Sequence, residues 1–396
     1  SILIGTSKYK IKDLSLDYPD SDVTRFGQTL NLIGKQFFKR TDIRQFVSDS
    51  PNKDQQLATK ANIEKAFLDM SKAARANDVF LIFLSGHGDM FGTGSEAEFY
   101  YLTKDLPSKD LASKSTREEG TISTTELTKW IKNIAARKQV MIFDACHSGG
   151  FIKGLGKGKS LTATQQRALD EMKDRTGMWV LAGSADGKES FENYALGQGI
   201  LTYSLLKGIK GAAHRTDDEE PIVDVQVLLS YASNEVPKLA RRAGRKQEPV
   251  LSVPPDSGGQ TFSLGTVLAD VAQQIHLPDP KPIFVRSVFL DSNTYHDSIQ
   301  LSEKLNYRFK QEQHRWFSKQ GEPEFVFVDV NNFPDAYKVS GIYSKRGKEY
   351  EMTGHLYQGD KVMNHNPFKL KGVSASDLAE SLEKEIKIIL KGIKKK

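Results

Sequence analysis

Residues 140–149, VMIFDACHSG, decide how this chain is read. Val140 to Phe143 form an unbroken apolar run, Asp144 and Cys146 follow it, and Gly149 closes the stretch, with Gly150 next. A short apolar run of this kind reads as a strand covered on both faces of a parallel sheet. In such sheets sites form beyond the carboxyl ends of the strands, so Cys146 stands at a mouth rather than in a core. It is the one cysteine among 396 residues, which rules out an intrachain disulfide.

A thiol acts as a nucleophile once a base has made it a thiolate. His147 is adjacent, but neighbours in an extended chain point to opposite faces, which makes it a poor partner. His87 ends a second apolar run, VFLIFLSGHGD (79–89), in the same kind of place. If the two strands are neighbours, His87 and Cys146 share one edge of the sheet. Gly88 beside the histidine and the Cys146 amide would supply two N–H donors for an oxyanion.

Working outward, the same rhythm covers residues 1 to about 265. SILIG (1–5), IRQFVS (43–48) and MWVLAGSA (178–185) read as further strands, the last ending at Ser184 and Ala185. Residues 21–37, 62–75, 123–136, 197–209 and 223–242 read as amphipathic helices, and Ser123 with Glu126 forms a capping-box pattern. A long loop is expected after Gly88. Continuous apolar strands separated by helices predict an α/β fold with a parallel sheet covered on both faces. Composition shifts near residue 265, and the Pro-containing stretch 266–281 reads as a connector. Residues 282–396 read as a smaller α+β domain in which helices pack on a largely antiparallel sheet.

The formal charge of +6 comes from 56 basic and 50 acidic residues that are well mixed, so a nucleic-acid groove is not expected. The basic runs ARRAGRK (240–246) and KKK (394–396) read as solvated helix ends. No stretch is apolar and long enough to span a membrane. A core strand seldom opens a chain, so upstream sequence is expected, and any signal peptide would lie there. The lone cysteine fits a reducing compartment such as the cytoplasm; a lost signal would make the periplasm or secretion the alternative. GLGKGKS (154–160) ends like a phosphate loop, but Lys153 occupies the place of its first glycine, and the serine of GSADG (183–187) is misplaced for a hydrolase elbow.

SGHGD followed by DACHSGG resembles the caspase-fold cysteine peptidases, in particular their bacterial metacaspase-like and orthocaspase-like members. The caspase pattern sets the histidine roughly 50 residues ahead of the cysteine, close to the spacing here. The resemblance runs over about residues 1–265 and takes in LIG (3–5), the YYLTKD strand (100–105), GQGILTYSLLKG (197–208) and EPVLSV (248–253). It implies the caspase-like three-layer sandwich with a mostly parallel six-stranded sheet, His87 and Cys146 as a catalytic dyad, and cleavage through a thioester acyl-enzyme.

Asp144 precedes Cys146 by two positions and points to the same side of the chain. True caspases carry glutamine there, and an arginine on the approach to the first helix binds acidic side chains. Here that approach, LSLDYPDSD (14–22), holds no arginine and several acids. The metacaspase pattern implies Asp22 and Ser85 as pocket residues, and by the same resemblance Ser184 and Glu189 join the substrate-binding set. Carboxylates facing one pocket attract a guanidinium and can hold it bidentately. The expected reaction is cleavage of proteins after Arg, with Lys second.

Calcium-dependent relatives carry paired aspartates where this chain has Thr124 and Thr125, which leaves Asp89 and Asp105 as weaker ligands; no metal or other cofactor is expected. Residues 152–177 are a candidate processing linker, rich in Lys and Arg that the enzyme itself could cut. Residues 282–396 resemble the small N-terminal domain of TolB-like proteins, which implies an interaction or regulatory module with a protein partner. Two rivals carry the same residues: a catalytically silent caspase-fold scaffold, and a transpeptidase working through the same acyl-enzyme.

Overall fold

Strand β1 (Ile2–Gly5) lies inside the sheet that organises the first part of the chain, fully buried and hydrogen-bonded on both edges. In this computed structural model the described residues are 1–49, 51–52, 54–92, 98–145, 178–183, 197–213, 221–242, 247–253, 261–278, 281–318, 324–333, 335–364 and 366–393. Cys146, Ser184, Glu189 and the 152–177 linker lie outside them. The described residues divide into two compact units, one within residues 1–278 and one within 281–393.

In the first unit β1 is followed by α1 (Pro19–Phe37), β2 (Arg44–Val47), β3 (Gln55–Leu57), α2 (Lys60–Ala73) and β4 (Val79–Gly86). Then come β5 (Gly88–Phe91), β6 (Glu98–Leu102), α3 (Lys114–Gly120), β7 (Thr121–Ser123), α4 (Thr124–Lys132) and β8 (Lys138–Ala145). After the undescribed stretch follow β9 (Trp179–Ala182), α5 (Ile200–Lys207), β10 (Ile222–Asp224), α6 (Val225–Arg242), β11 (Val250–Ser252), β12 (Ser263–Thr266) and α7 (Ala269–Gln274).

The main sheet runs β11-β9-β8-β4-β1-β2-β3, and β11 alone is antiparallel to its neighbour. Among the described residues it has seven strands where six are expected. The addition is β3, whose residues Gln-Gln-Leu pair at the edge of β2; a polar edge strand gives no apolar run to find. In-register pairing stacks Leu3, Phe83 and Ile142 on one face and Ile4, Leu84 and Phe143 on the other. The second set packs with Ile63, Phe67 and Met70 of α2 and Leu127 and Ile131 of α4. The first meets α1, where the Phe26 and Phe83 rings are 5.0 Å apart. Both faces are thus helix-covered, which is why the strands carry no polar face.

Where a long loop is expected after Gly88 the described residues form a three-stranded antiparallel sheet, β5-β6-β7, whose β6 takes in the start of the expected YYLTKD strand. The capping box that starts α4 is present: Ser123 Oγ accepts from the Glu126 amide, and the Glu126 carboxylate accepts from the Ser123 amide. Such caps contribute about 1 kcal/mol.

The second unit contains β13 (Ile283–Phe284), β14 (Val288–Asp291), α8 (Leu301–Ser318), β15 (Val326–Phe327), β16 (Tyr337–Arg346), β17 (Glu349–Gln358), β18 (Lys361–Val362), β19 (Phe368–Gly372) and α9 (Ala375–Ile393). Its sheet is mixed rather than largely antiparallel. The β16–β17 hairpin and β19 are antiparallel, whereas β13 and β14 run parallel to β16. The reason is α8, which carries the chain back between β14 and β16 as a crossover. Leu305, Phe309, Leu382 and Ile386 from the two helices fill this unit's core against Phe289, Val339 and Leu356. No described helix is long and apolar enough to cross a membrane.

Candidate active site

Strands β4 and β8 are adjacent and parallel, and their last pairs are Ser85 with Asp144 and Gly86 with Ala145. The next residues in the chain are His87 and Cys146. The juxtaposition on which the sequence argument depended, two neighbouring strands, is therefore present as far as Ala145.

His87 is buried, with 7% of its surface exposed. Its Nε2 lies 2.9 Å from the backbone oxygen of Leu14, in the short 3-10 turn ahead of α1. A carbonyl only accepts, so Nε2 carries the proton and the lone pair of the neutral ring is on Nδ1. No polar atom among the described residues reaches that buried Nδ1. Burial lowers the imidazole to about 4, opposed by the Leu14 hydrogen bond. The ring is thus neutral near pH 7, oriented by one nitrogen and able to accept a proton on the other.

Asp22 lies in the first turn of α1 with 1% of its surface exposed. Its Oδ1 accepts from the Gly199 amide at 3.0 Å, and its Oδ2 receives a long contact of 3.4 Å from Ser85 Oγ. Asp144 comes toward it from the end of β8. A Cβ placed on Gly199 would sit 2.7 Å from Asp22 Oδ2 and 2.9 Å from Asp144 Oδ2, so two carboxylates converge on one glycine. Burial, and after it the charge of Asp144, push Asp22 up to about 8 against the pull of the Gly199 amide, Arg25 and Ser85. Asp144 keeps some exposed surface, yet protein surrounds its carboxyl and burial raises it to about 7. Two acids held this way are poorly solvated as anions, and a cation between them relieves both burial and mutual repulsion.

Of the residues singled out from the sequence, Asp22, Ser85, Asp144 and His87 meet at this one end of the sheet. Gly88 opens β5 opposite Tyr101, and a Cβ there would fall 2.0 Å from the Phe99 ring. Ser184, Glu189 and Cys146 are outside the described residues. Of the calcium candidates, Asp105 Oδ1 accepts from Thr103 Oγ1 at 2.6 Å and from the Lys60 amide at the start of α2. Asp89 Oδ1 accepts from the Met90 amide. Thr124 and Thr125 are tied to β6, through Phe99 O and the Glu98 carboxylate.

Three participants escaped the sequence reading. Leu14 acts through its carbonyl, which any residue has. Gly199 acts through its amide and its missing side chain; the glycine-spaced GQG ahead of a helix was the available signal. Arg25, one turn beyond Asp22, donates to Gln198 Oε1 at 2.9 Å and lowers the Asp22 carboxyl. Its spacing from Asp22 was legible, its partner was not.

Residues 1–255 match the family described as Caspase domain. No curated protein matches the chain. Among solved structures, a protein from Geobacter sulfurreducens is similar at 16% identity and a TM-score of 0.36, covering 68% of this chain and 95% of its own.

Proposed function

The chain belongs to the caspase-domain family of cysteine peptidases, and we propose that it is a metacaspase-like endopeptidase that cuts after Arg, then Lys, with Cys146 as nucleophile and His87 as base. The observation that carries the reading is the parallel register of β4 and β8, which pairs the residues just before His87 and Cys146. In this mechanism the Cys146 thiol gives its proton to His87 Nδ1. The thiolate adds to the scissile carbonyl, and the oxyanion is held by the Gly88 and Cys146 amides. Collapse breaks the C–N bond; the imidazolium protonates the leaving amine and a thioester remains. Water, deprotonated by Nδ1, adds to the thioester, and the thiolate leaves to regenerate the enzyme.

The pocket argument supports the basic preference. Asp22 and Asp144 stand beside the nucleophile's strand, where the side chain ahead of the cut bond binds. The two carboxyls are in position before substrate arrives, and a guanidinium between them favours the charged form that burial disfavours. The same specificity would let the enzyme cut its own 152–177 linker. We read residues 282–396 as an interaction or regulatory module.

The test is a peptide-library digest with wild type, Cys146→Ala, His87→Ala and His147→Ala. The first two substitutions abolish cleavage and the third retains most of it. Full activity in Cys146→Ala ends the peptidase reading.

A further inference from the structure

We infer that Asp20 and Ser48 are positioning residues for both halves of the site. They fix the loop that offers the Leu14 carbonyl to His87, and Asp20 also fixes the helix turn that carries Asp22. The inference rests on the peptidase reading above and names what holds its base and its pocket in place together.

Asp20 is the second residue of α1, two before Asp22, and both of its carboxylate oxygens accept. Oδ1 accepts from the Ser7 amide at 3.1 Å, and Oδ2 from the Asp49 amide at 3.0 Å. The Ser48 amide is shared, 3.0 Å from Oδ1 and 3.1 Å from Oδ2. The Ser48 hydroxyl lies 2.9 Å from each oxygen and donates its one proton to the carboxylate. With that proton spent, Ser48 Oγ accepts from the Ser7 amide at 2.8 Å and the Lys8 amide at 2.6 Å. In return the Asp20 amide, one of the N–H groups a helix start leaves without an intrahelical acceptor, donates to Ser7 Oγ at 3.0 Å.

These bonds join three elements where the sheet no longer does. Ser7 lies just beyond β1, Ser48 just beyond β2, and Asp20 opens α1. The pairing of β1 with β2 ends at Ile4 and Phe46, so the residues that follow need another tie. Ser7 passes the restraint on, because its carbonyl accepts from the Leu16 amide at 2.7 Å. The segment from Ser7 to Leu16 is thereby held at both ends. Within it lies Leu14, whose carbonyl oxygen is 2.9 Å from His87 Nε2. On the other side, Asp22 shares the first turn of α1 with Asp20, and its amide donates to Tyr18 O at 2.8 Å. Lys104 Nζ adds a hold on the Ser48 carbonyl. Ser7 and Ser48 are buried, so water does not replace a lost partner, and the amides left unmet draw the segment out of place. A misplacement of about 1 Å at a reacting group can cost on the order of a hundredfold in rate.

Ser48→Ala removes the hydroxyl that holds Ser7 and Lys8 but leaves three amides on Asp20, so it loosens the Leu14 loop alone. Asp20→Asn keeps the shape but turns an NH2 toward amide donors, so it loosens the loop and the Asp22 turn together. Ser48→Thr keeps the hydroxyl. Two readouts are taken at pH 7: kcat and KM on matched Arg and Leu peptides, and the iodoacetamide alkylation rate of Cys146, the chain's one cysteine. His87→Ala defines the rate of an uncoupled thiol, and Ile63→Val on the buried face of α2 controls for lost stability. Ser48→Ala should lower kcat about tenfold on both peptides and keep the Arg-to-Leu ratio of kcat/KM within about twofold. Asp20→Asn should lower kcat likewise and also cut that ratio about threefold or more. Both should shift alkylation toward the His87→Ala rate. Ser48→Thr should restore both readouts, and Ile63→Val should lower the melting temperature while moving neither. Should Asp20→Asn not fold, Ser7→Ala removes only the acceptor of the Asp20 amide and should lower the ratio in the same direction. If wild type cleaves neither peptide and is alkylated like His87→Ala, the peptidase reading falls and this role with it. If wild type cleaves and Asp20→Asn and Ser48→Ala keep its rates, the positioning inference alone is overturned. It is overturned equally if Ile63→Val moves the readouts as they do, or if a folded Ser48→Thr stays as slow as Ser48→Ala.

Discussion

Asp22→Asn isolates the charge of the proposed pocket from its shape. Asparagine is isosteric: its oxygen can still accept from the Gly199 amide, as Asp22 Oδ1 does at 3.0 Å, and its NH2 can face Ser85 Oγ. What disappears is one of the two carboxylates that converge on Gly199. A hydrogen bond to a charged group is worth about 1.5–3 kcal/mol. With tenfold per 1.36 kcal/mol, kcat/KM on an Arg peptide should fall about ten- to a hundredfold. The pH profile carries a second signature. Asp22 and Asp144 are raised to about 8 and about 7, so below neutral pH the free pocket is largely uncharged. Wild-type kcat/KM on the Arg peptide should therefore climb between pH 6 and 9, while a Leu peptide follows the thiol chemistry alone. In Asp22→Asn the climb on Arg should be shallower, with Asp144 as its remaining carboxyl. The assay is initial rates on matched fluorogenic peptides with Arg, Lys, Asp or Leu at the cut position. A wild type that prefers Asp, an Asp22→Asn variant that cuts the Arg peptide as well as wild type, or Arg and Leu profiles of one shape would refute the acidic pocket.

Gly199→Ala should abolish Arg cleavage while leaving a folded protein, because its Cβ would land 2.7 Å from Asp22 Oδ2 and 2.9 Å from Asp144 Oδ2; retained Arg turnover would show that the carboxylates do not share this spot. The same pair shapes stability. A carboxyl raised above its unfolded value of 3.8 contributes stability that is full below that value and lost as pH rises through the folded value. Above about pH 7.5 the lowered His87 is neutral folded and unfolded alike, so the wild-type melting temperature should decline from pH 7.5 to 9 and Asp22→Asn should flatten the decline; parallel slopes in a thermal-shift series would count against it. Activity should survive a chelator, since Thr124 and Thr125 stand where related enzymes place aspartates and Asp105 caps α2. Strict dependence on added calcium would overturn that expectation.

Much of the first unit was legible because burial on both faces writes itself as apolar runs. Val79–Leu84 and Val140–Phe143 are such runs, and both lie inside observed strands. Ser123 and Glu126 marked a helix start because the capping box is built within four consecutive residues. β3 was not legible, since a polar edge strand buries little; of the β5-β6-β7 sheet only β6 was, through the YYLTKD strand. The parallel direction of β13 and β14 beside β16 followed from where α8 lands, which periodicity does not report.

At the site the division is sharper. Sequence alone determined the chemistry on offer: one thiol, a histidine at a comparable strand end, and acids where a pocket would need them. Those are properties of residue type and local spacing. Only the tertiary structure decided that β4 and β8 are neighbours in register, that Leu14 O takes the His87 Nε2 proton, and that Gly199 admits two carboxylates to one point. Each of these joins residues far apart in the chain through backbone groups or an absent side chain. Backbone atoms are the same in every residue, so no pattern of residue types announces which carbonyl, amide or missing Cβ the fold will use.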